Sequence, residues 1–127
     1  VPKVTVTLRK SYGGAHDVMS SKQLRGDFNY AWPTAQIAVM GAKGAVEVLY
    51  GKEMSAITDP EAKAKFVADK ENEYNNAFAN PYKAASYGYI DDVIEPRNTR
   101  FRVIRAFQSL QTKRVTNPMK KHSNIPL

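Results

Sequence analysis

The chain has 127 residues, enough for one domain with a buried core or for part of one. It contains no cysteine, which excludes disulfides, thiolate metal sites and cysteine nucleophiles and fits a reducing compartment; a run of about 18 apolar residues, as a membrane-spanning helix requires, is also absent. The net charge of +7 has two interpretations, a solvated surface with a basic tail or a surface that binds an acidic partner or a polyphosphate ligand.

The opening stretch predicts a strand, a glycine turn and a helix in direct succession. Residues 4–8 alternate between apolar side chains and threonine, which is typical of a buried strand with Val4, Val6 and Leu8 on one face. Gly13 and Gly14 then favour a turn, and a helix is expected from Ala15 onward. The first N–H groups of such a helix lack partners and could hold an oxyanion. The same pattern also fits an ordinary tight turn with nothing bound, and it is not a phosphate loop.

A second unit of similar design follows a loop over residues 20–27. Residues 37–40 form a short apolar run, as expected of a strand that is covered on both faces, and Trp32 is expected to pack. After Gly41 the sequence predicts a helix that buries three side chains on one face, Ala45, Val48 and Leu49. Two strand–glycine–helix units indicate a layered α/β arrangement with parallel strands.

The second half predicts three helices and one strand. Asp59 and Pro60 are typical of a helix start, and this helix is expected to end before Pro81. A short helix over 82–87, a strand over 89–94 and a last helix capped by Thr99 follow, and the remaining residues 113–127 are predicted to be an extended basic tail against a neighbour. Two sets of side chains are expected to pack: Phe66, Val67, Tyr74, Ala77 and Phe78 in the first helix, and Val103, Ile104, Phe107 and Leu110 in the last.

The sequence offers few side chains for acid–base or metal chemistry. His16 and His122 are the only histidines and lie near opposite ends of the chain. Asp91 and Asp92 have no histidine nearby in sequence, and no metal site is predicted there. An enzyme built from this chain would therefore depend on backbone dipoles or on a cofactor.

Five segments together carry a resemblance to a known family. They are residues 9–19, which include Tyr-Gly-Gly-Ala at 12–15, and residues 29–41, 78–82, 89–94 and 121–127. In this order they resemble the C-terminal end of biotin-dependent acyl-CoA carboxyltransferases, with the propionyl-CoA carboxylase β chains nearest. The resemblance implies a crotonase-like (ClpP-like) α/β fold of stacked ββα units, in which residues 1–112 are the latter part of the C-terminal carboxyltransferase domain.

The same resemblance implies a reaction and a set of site residues. In this family a carboxyl group passes from carboxybiotin to the α-carbon of a short-chain acyl-CoA, here propionyl-CoA to methylmalonyl-CoA, and biotin itself serves as the base. The backbone amides of Gly14 and Ala15 would be catalytic, as an oxyanion site, and Gly13, Gly14 and Ala15 would hold biotin. Asp17 and His16 would lie at the acyl substrate, although the family more often has Tyr at the position of His16.

The resemblance also implies partners. The active site would be completed by the N-terminal carboxyltransferase domain of another subunit in a homohexamer, and carboxybiotin would arrive on the biotin carboxylase and carrier α subunit. We expect the chain alone to be inactive, with no metal, nucleic acid or membrane partner, in the cytoplasm or, in a eukaryote, the mitochondrial matrix. Two alternatives stay open: a decarboxylase or transcarboxylase subunit of the same fold, and a basic module that binds nucleic acid or protein.

Overall fold

Two small parallel sheets organise the structure, a computed structural model that describes residues 1–116. The first sheet has the order β1-β3-β5, formed by β1 (Val4–Thr7), β3 (Phe28–Ala31) and β5 (Asp92–Val93). The second pairs β2 (Lys10–Tyr12) with β4 (Gln36–Ala38). All three strand pairs are parallel, with Val6 opposite Tyr30 and Ser11 opposite Ile37.

Five helices surround these sheets within residues 1–116. They are α1 (Gly13–Val18), α2 (Ala42–Ala56), α3 (Pro60–Ala77), α4 (Pro81–Ser86) and α5 (Thr99–Ser109). Short 3-10 turns lie at Lys22–Leu24 and Pro96–Asn98. Among these described residues, no helix combines the length and the apolar character that crossing a bilayer requires.

The core consists of two apolar clusters on the β1-β3-β5 sheet. One joins β3, β4 and α4 through Ala31, Ala35, Ile37, Ala84 and Ile90. The other joins β3 to α5 through Tyr30, Ile94 and Ala106, and Trp32 packs against it as predicted. Because β3 is the central strand and carries residues of both clusters, it connects the two halves of the fold.

The first predicted strand is wrong in length. It ends at Thr7, and the chain then enters the other sheet as β2, so that Leu8 lies between two strands and is 47% exposed. The predicted strand over 37–40 is likewise shorter and begins at Gln36, since the chain leaves the sheet after Ala38 and Val39 is 79% exposed. Strand β3 was not predicted from the sequence, although it is the most buried strand.

The predicted buried face of α2 is wrong in part. Ala45 is buried as predicted, and Val46 is buried as well, whereas Val48 is 73% exposed and Leu49 is exposed. A break in helical geometry at Tyr50 (φ −118°, ψ 15°) divides this helix after these residues. The start of α3 is confirmed: the Asp59 carboxylate accepts hydrogen bonds from the backbone N–H groups of Glu61 (3.3 Å) and Ala62 (3.2 Å).

Packing on α3 is looser than predicted. Phe66, Val67 and Tyr74 are half-buried, whereas Ala77 and Phe78 are exposed. The helix pairs with α2 along the surface, so its apolar side chains are covered on one side only.

The last helix also differs from its prediction. Thr99 is its first residue rather than a side-chain cap, and its hydroxyl accepts a hydrogen bond from the Trp32 indole N–H (2.9 Å). Ala106 is the buried residue of α5, whereas Ile104 and Phe107 are exposed. Only Asp92–Val93 of the strand predicted over 89–94 is paired. Of the predicted tail, residues 117–127, which include His122, lie outside the described residues.

Asp27 joins the two ends of the described chain. Its Oδ2 atom accepts hydrogen bonds from the Lys113 ammonium group (2.7 Å) and from the backbone N–H of Lys3 (2.7 Å). The hydrogen bond from Lys113, followed by that from Lys3, lowers the pKa of the Asp27 carboxyl. The ionised carboxylate is therefore the form that stabilises the fold.

We expect Asp27 to make stability sensitive to acid. A lowered folded-state pKa means that its contribution is complete above the unfolded-state pKa of about 4 and is lost as the pH falls through the folded-state value. Asp27→Asn should therefore lower the melting temperature at neutral pH and flatten its decline below about pH 4. Asp69→Asn, at an exposed position on α3, is the control. An unchanged acid profile in Asp27→Asn would contradict this role.

Candidate functional site

The turn between β2 and α1 has a geometry that glycine alone adopts without strain. Gly13 follows directly after β2 with φ +52°, in the left-handed region. A Cβ atom at Gly13 would lie 2.9 Å from the carbonyl oxygen of Val39, the residue after β4. The parallel pairing of β2 with β4 brings these two segments together, so the sheet itself sets the position of the turn.

The turn leaves two backbone donors free. Helix α1 begins at Gly13, two residues earlier than predicted, which places Gly14 and Ala15 in its first turn. Within residues 1–116, neither the N–H of Gly14 nor that of Ala15 donates a hydrogen bond, and both residues are exposed. A Cβ atom at Gly14 would meet nothing within 4 Å. The fold therefore gives no steric reason for a glycine at position 14.

A cleft of about 650 Å³ lies beside this turn. Gly13, Gly14, His16 and Asp17 contribute one part of its lining. The rest, mostly apolar and aromatic, comes from the first 3-10 turn, from β4 and the residue after it, from α2, α3 and α4, and from the segments that follow α3 and α4. Cleft-forming residues thus come from both halves of the sequence. The four predicted site residues named here lie together because they fall within one five-residue segment, and all four line the cleft.

Ala15 is predicted with this group but is not among the cleft-lining residues. It is exposed immediately beside Gly14, as the third residue of α1. Its N–H group, rather than its methyl group, is the feature of chemical interest.

His16 is held from within the same segment. Its Nδ1 atom lies 2.9 Å from the Ser11 hydroxyl oxygen, which joins α1 to β2. Its Nε2 atom is buried and has no hydrogen-bond partner within residues 1–116. Next to it, the Tyr12 hydroxyl donates to the Gln36 side-chain oxygen (2.6 Å), which fixes the end of β2 against β4. The two hydrogen bonds therefore fix α1 to β2 and β2 to β4, on either side of the turn.

Among the cleft residues that were not predicted from the sequence are Lys83, Tyr87 and Tyr89. Lys83 of α4 lines the cleft together with Tyr87 and Tyr89, whose rings pack against each other at 5.7 Å between centroids. Gly88 lies between the two tyrosines with φ +75°. Their nearest sequence signal was the Tyr-Gly-Tyr pattern, which by itself predicted only the end of a helix. Among residues 1–116, no cluster of three or more histidine, cysteine or acidic side chains could hold a metal ion.

Comparison with known proteins decides the family. The sequence profile of the carboxyl transferase domain matches residues 1–125. The chain belongs to this family. That assignment agrees with the order of the five segments, and it confirms the resemblance from which the site residues were predicted.

The sequence is also similar to curated members of the family. The chain is 61% identical over all 127 residues to the propionyl-CoA carboxylase beta chain of Cereibacter sphaeroides, and 52% identical over all 127 residues to the methylmalonyl-CoA decarboxylase subunit alpha of Propionigenium modestum. In both cases it covers 24% of the relative. This carboxyl transferase chain thus spans about a quarter of the length of the curated relatives that it matches.

A solved structure supports the fold. The crystal structure of transcarboxylase 12S, a hexamer with methylmalonyl-CoA and methylmalonic acid bound, matches the whole of this chain and 24% of that one, with a TM-score of 0.88 and 50% identity. The predicted fold class, α/β with parallel strands within a crotonase-like carboxyltransferase, is thereby confirmed.

Proposed function

We propose that this chain forms the C-terminal part of a carboxyltransferase β subunit that transfers a carboxyl group from carboxybiotin to the α-carbon of a short-chain acyl-CoA, converting propionyl-CoA to methylmalonyl-CoA. The observation that carries the proposal is the pair of free N–H groups of Gly14 and Ala15 beside the cleft. The identity of 61% to a propionyl-CoA carboxylase beta chain favours propionyl-CoA as the substrate.

The turn offers hydrogen-bond donors and open space to a ureido oxygen of biotin. Gly13, Gly14 and Ala15 would hold biotin, because two exposed N–H donors lie there and the absence of a Cβ at Gly14 leaves room for close approach. When bound, biotin supplies both the carboxyl group and the base. The chain's own contribution is to stabilise negative charge on the ureido oxygen with fixed donors, which need no reorganisation during the reaction.

Asp17 and His16 would contact the acyl substrate. Both are half-buried, both line the cleft, and both follow directly after the two amides on α1. Through Nδ1 the Ser11 hydroxyl fixes the orientation of the His16 ring. The ring therefore forms a rigid wall of the pocket in the position where relatives more often carry tyrosine.

The family and the exposed apolar surface support two further protein partners. We place the N-terminal carboxyltransferase domain of another subunit of a homohexamer against the cleft, where it would hold the acyl-CoA; exposed apolar side chains such as Leu49 and Phe78 line that side. A separate α subunit would carry biotin carboxylase and the biotin carrier. The chain alone is expected to be inactive, and its compartment would be the cytoplasm or, in a eukaryote, the mitochondrial matrix.

A decarboxylase or transcarboxylase subunit is the alternative, since relatives with those names are 52% and 51% identical to this chain. A nucleic-acid module has less support, because several basic side chains are used within the fold. Lys22 pairs with Asp91, Lys113 with Asp27, and Arg102 with Asp92. These ion pairs reduce the number of cations that could contact phosphates.

Gly14→Ala tests the proposal in the full-length subunit. The added methyl group meets open space in the fold, so stability should stay the same or rise by up to about 1 kcal/mol. It would, however, lie where the ureido oxygen approaches, and we expect kcat/KM for carboxyl transfer from carboxybiotin to propionyl-CoA to fall by about 10- to 100-fold.

Gly44→Ala is the matched control. Gly44 lies in α2, and a Cβ atom there also meets nothing within 4 Å. It should alter stability in the same direction and leave carboxyl transfer unchanged. Full activity in Gly14→Ala would remove the turn from the active site, and an inactive unmodified subunit would refute the proposed reaction.

A further inference from the structure

Lys83 is a half-buried cation without an anionic partner. It lies in α4, where its backbone N–H donates to the side chain of Asn80 at 2.8 Å. Its Nζ atom lies 5.0 Å from the centroid of the Tyr87 ring, and it makes no ion pair within residues 1–116. Lys22, Lys70 and Lys113 differ in this respect, because each lies within 2.8 Å of a carboxylate oxygen.

The surroundings of Lys83 favour an anionic ligand. It is the only lysine or arginine among the described residues that line the cleft, and most of the other lining residues are apolar or aromatic. Asp17 lines the same cleft but is not paired with it. An ammonium group in such surroundings is poorly solvated once a ligand excludes water, so it gains most from a ligand that brings its own negative charge.

Tyr87 restricts where this charge can lie. The ammonium group over its ring is held by a cation–π contact, which limits the freedom of a long flexible side chain. Tyr89 packs against Tyr87 and completes the wall on that side. The cation therefore belongs to the lining of the cleft and is not simply a solvated surface lysine.

We infer that Lys83 binds the free carboxylate of the carboxylated acyl-CoA and so distinguishes this ligand from the uncarboxylated acyl-CoA. The inference rests on the proposed function, because it assigns a role within the same cleft. The CoA phosphates are a second source of negative charge that Lys83 could meet. The two are separable, because propionyl-CoA and methylmalonyl-CoA carry the same phosphates and only methylmalonyl-CoA has a free carboxylate.

The test compares KM values in both directions of the reaction, with full-length subunit and biotin carrier. In Lys83→Met, the KM for methylmalonyl-CoA should rise about 10-fold relative to the KM for propionyl-CoA. Lys83→Arg keeps the cation and should preserve most of the original ratio. Lys63→Met, at an exposed position on α3, is the matched control and should change neither KM. Melting temperatures verify folding, and Lys83→Gln replaces Lys83→Met if the latter does not fold.

Each outcome decides one question. A rise of the KM for methylmalonyl-CoA relative to that for propionyl-CoA in Lys83→Met, with the ratio largely preserved in Lys83→Arg, supports the inference, and a fall of that ratio overturns it. A parallel rise of both KM values would assign Lys83 to a CoA phosphate and overturn it, as would unchanged values of both. Absence of carboxyl transfer in the unmodified subunit would instead refute the proposed function, and this inference with it.

Discussion

Removal of the N–H of Ala15 should lower kcat for carboxyl transfer in the full-length subunit by about 100- to 1,000-fold, the effect expected when one donor of an oxyanion site is lost. Ala15→Pro removes this donor. Ala15 is the third residue of α1, where its N–H has no intrahelical partner, so the helix loses no hydrogen bond. Gly14 precedes it and has no Cβ, which reduces the clash that a proline ring makes with the residue before it.

A second variant separates loss of the donor from distortion of the turn. Replacement of Ala15 by lactic acid turns the amide into an ester, which removes the N–H while keeping the methyl group and adding no ring. If both variants lose kcat to a similar extent and keep the melting temperature, the effect belongs to the donor. Loss of activity in Ala15→Pro alone would assign it to the proline ring, and unchanged kcat in the ester variant would exclude Ala15 from the oxyanion site.

Local signals in the sequence predicted the elements whose hydrogen bonds are local. Asp59 and Pro60 specify the start of α3 by side-chain capping and a fixed φ, and the structure has both. The consecutive glycines likewise specified a turn, and Gly13 has the positive φ that such a turn needs. In each case the determining interaction lies within a few residues, so no tertiary contact has to be known.

Burial was predicted less well, because it depends on what covers each face. Ala45, Val48 and Leu49 were expected in the core for their apolar character, yet only Ala45 of these three is buried, and the fold buries Val46 beside it. The same holds for α5, where Ala106 is buried and Phe107 is exposed. An apolar side chain signals contact with some partner, but it does not tell which neighbour provides the contact.

The candidate site was predictable where its residues are close together in sequence. Residues 13–17 are consecutive, so one motif indicated all of them. Lys83 and Tyr87 reach the cleft through the packing of α4 against β4, a contact between positions more than forty residues apart. No local pattern indicates such an approach.

Gly13→Ala should be the substitution most damaging to the turn as a whole. The left-handed conformation at φ +52° costs a residue with a Cβ about 1–2 kcal/mol. In addition, the new Cβ would lie 2.9 Å from the Val39 carbonyl oxygen, so either the turn or the segment after β4 must move. We therefore expect a loss of more than about 1–2 kcal/mol in unfolding free energy, together with a loss of carboxyl transfer that exceeds what the unfolded fraction explains.

Gly88→Ala isolates the conformational part of this cost. Gly88 also has a positive φ, +75°, but a Cβ atom there would meet nothing within 4 Å. Gly88→Ala should therefore show the cost of a positive φ without a steric clash. The difference in unfolding free energy between the two variants then measures the clash of the Cβ at position 13 with the Val39 carbonyl oxygen. The pairing of β2 with β4 holds Gly13 close to Val39 and so positions the donors of Gly14 and Ala15. Displacement of the turn by Gly13→Ala should therefore reduce kcat even at temperatures where the variant is fully folded. Equal destabilisation of both variants, with carboxyl transfer retained in Gly13→Ala, would show that the close approach of β4 does not set the geometry of the amides.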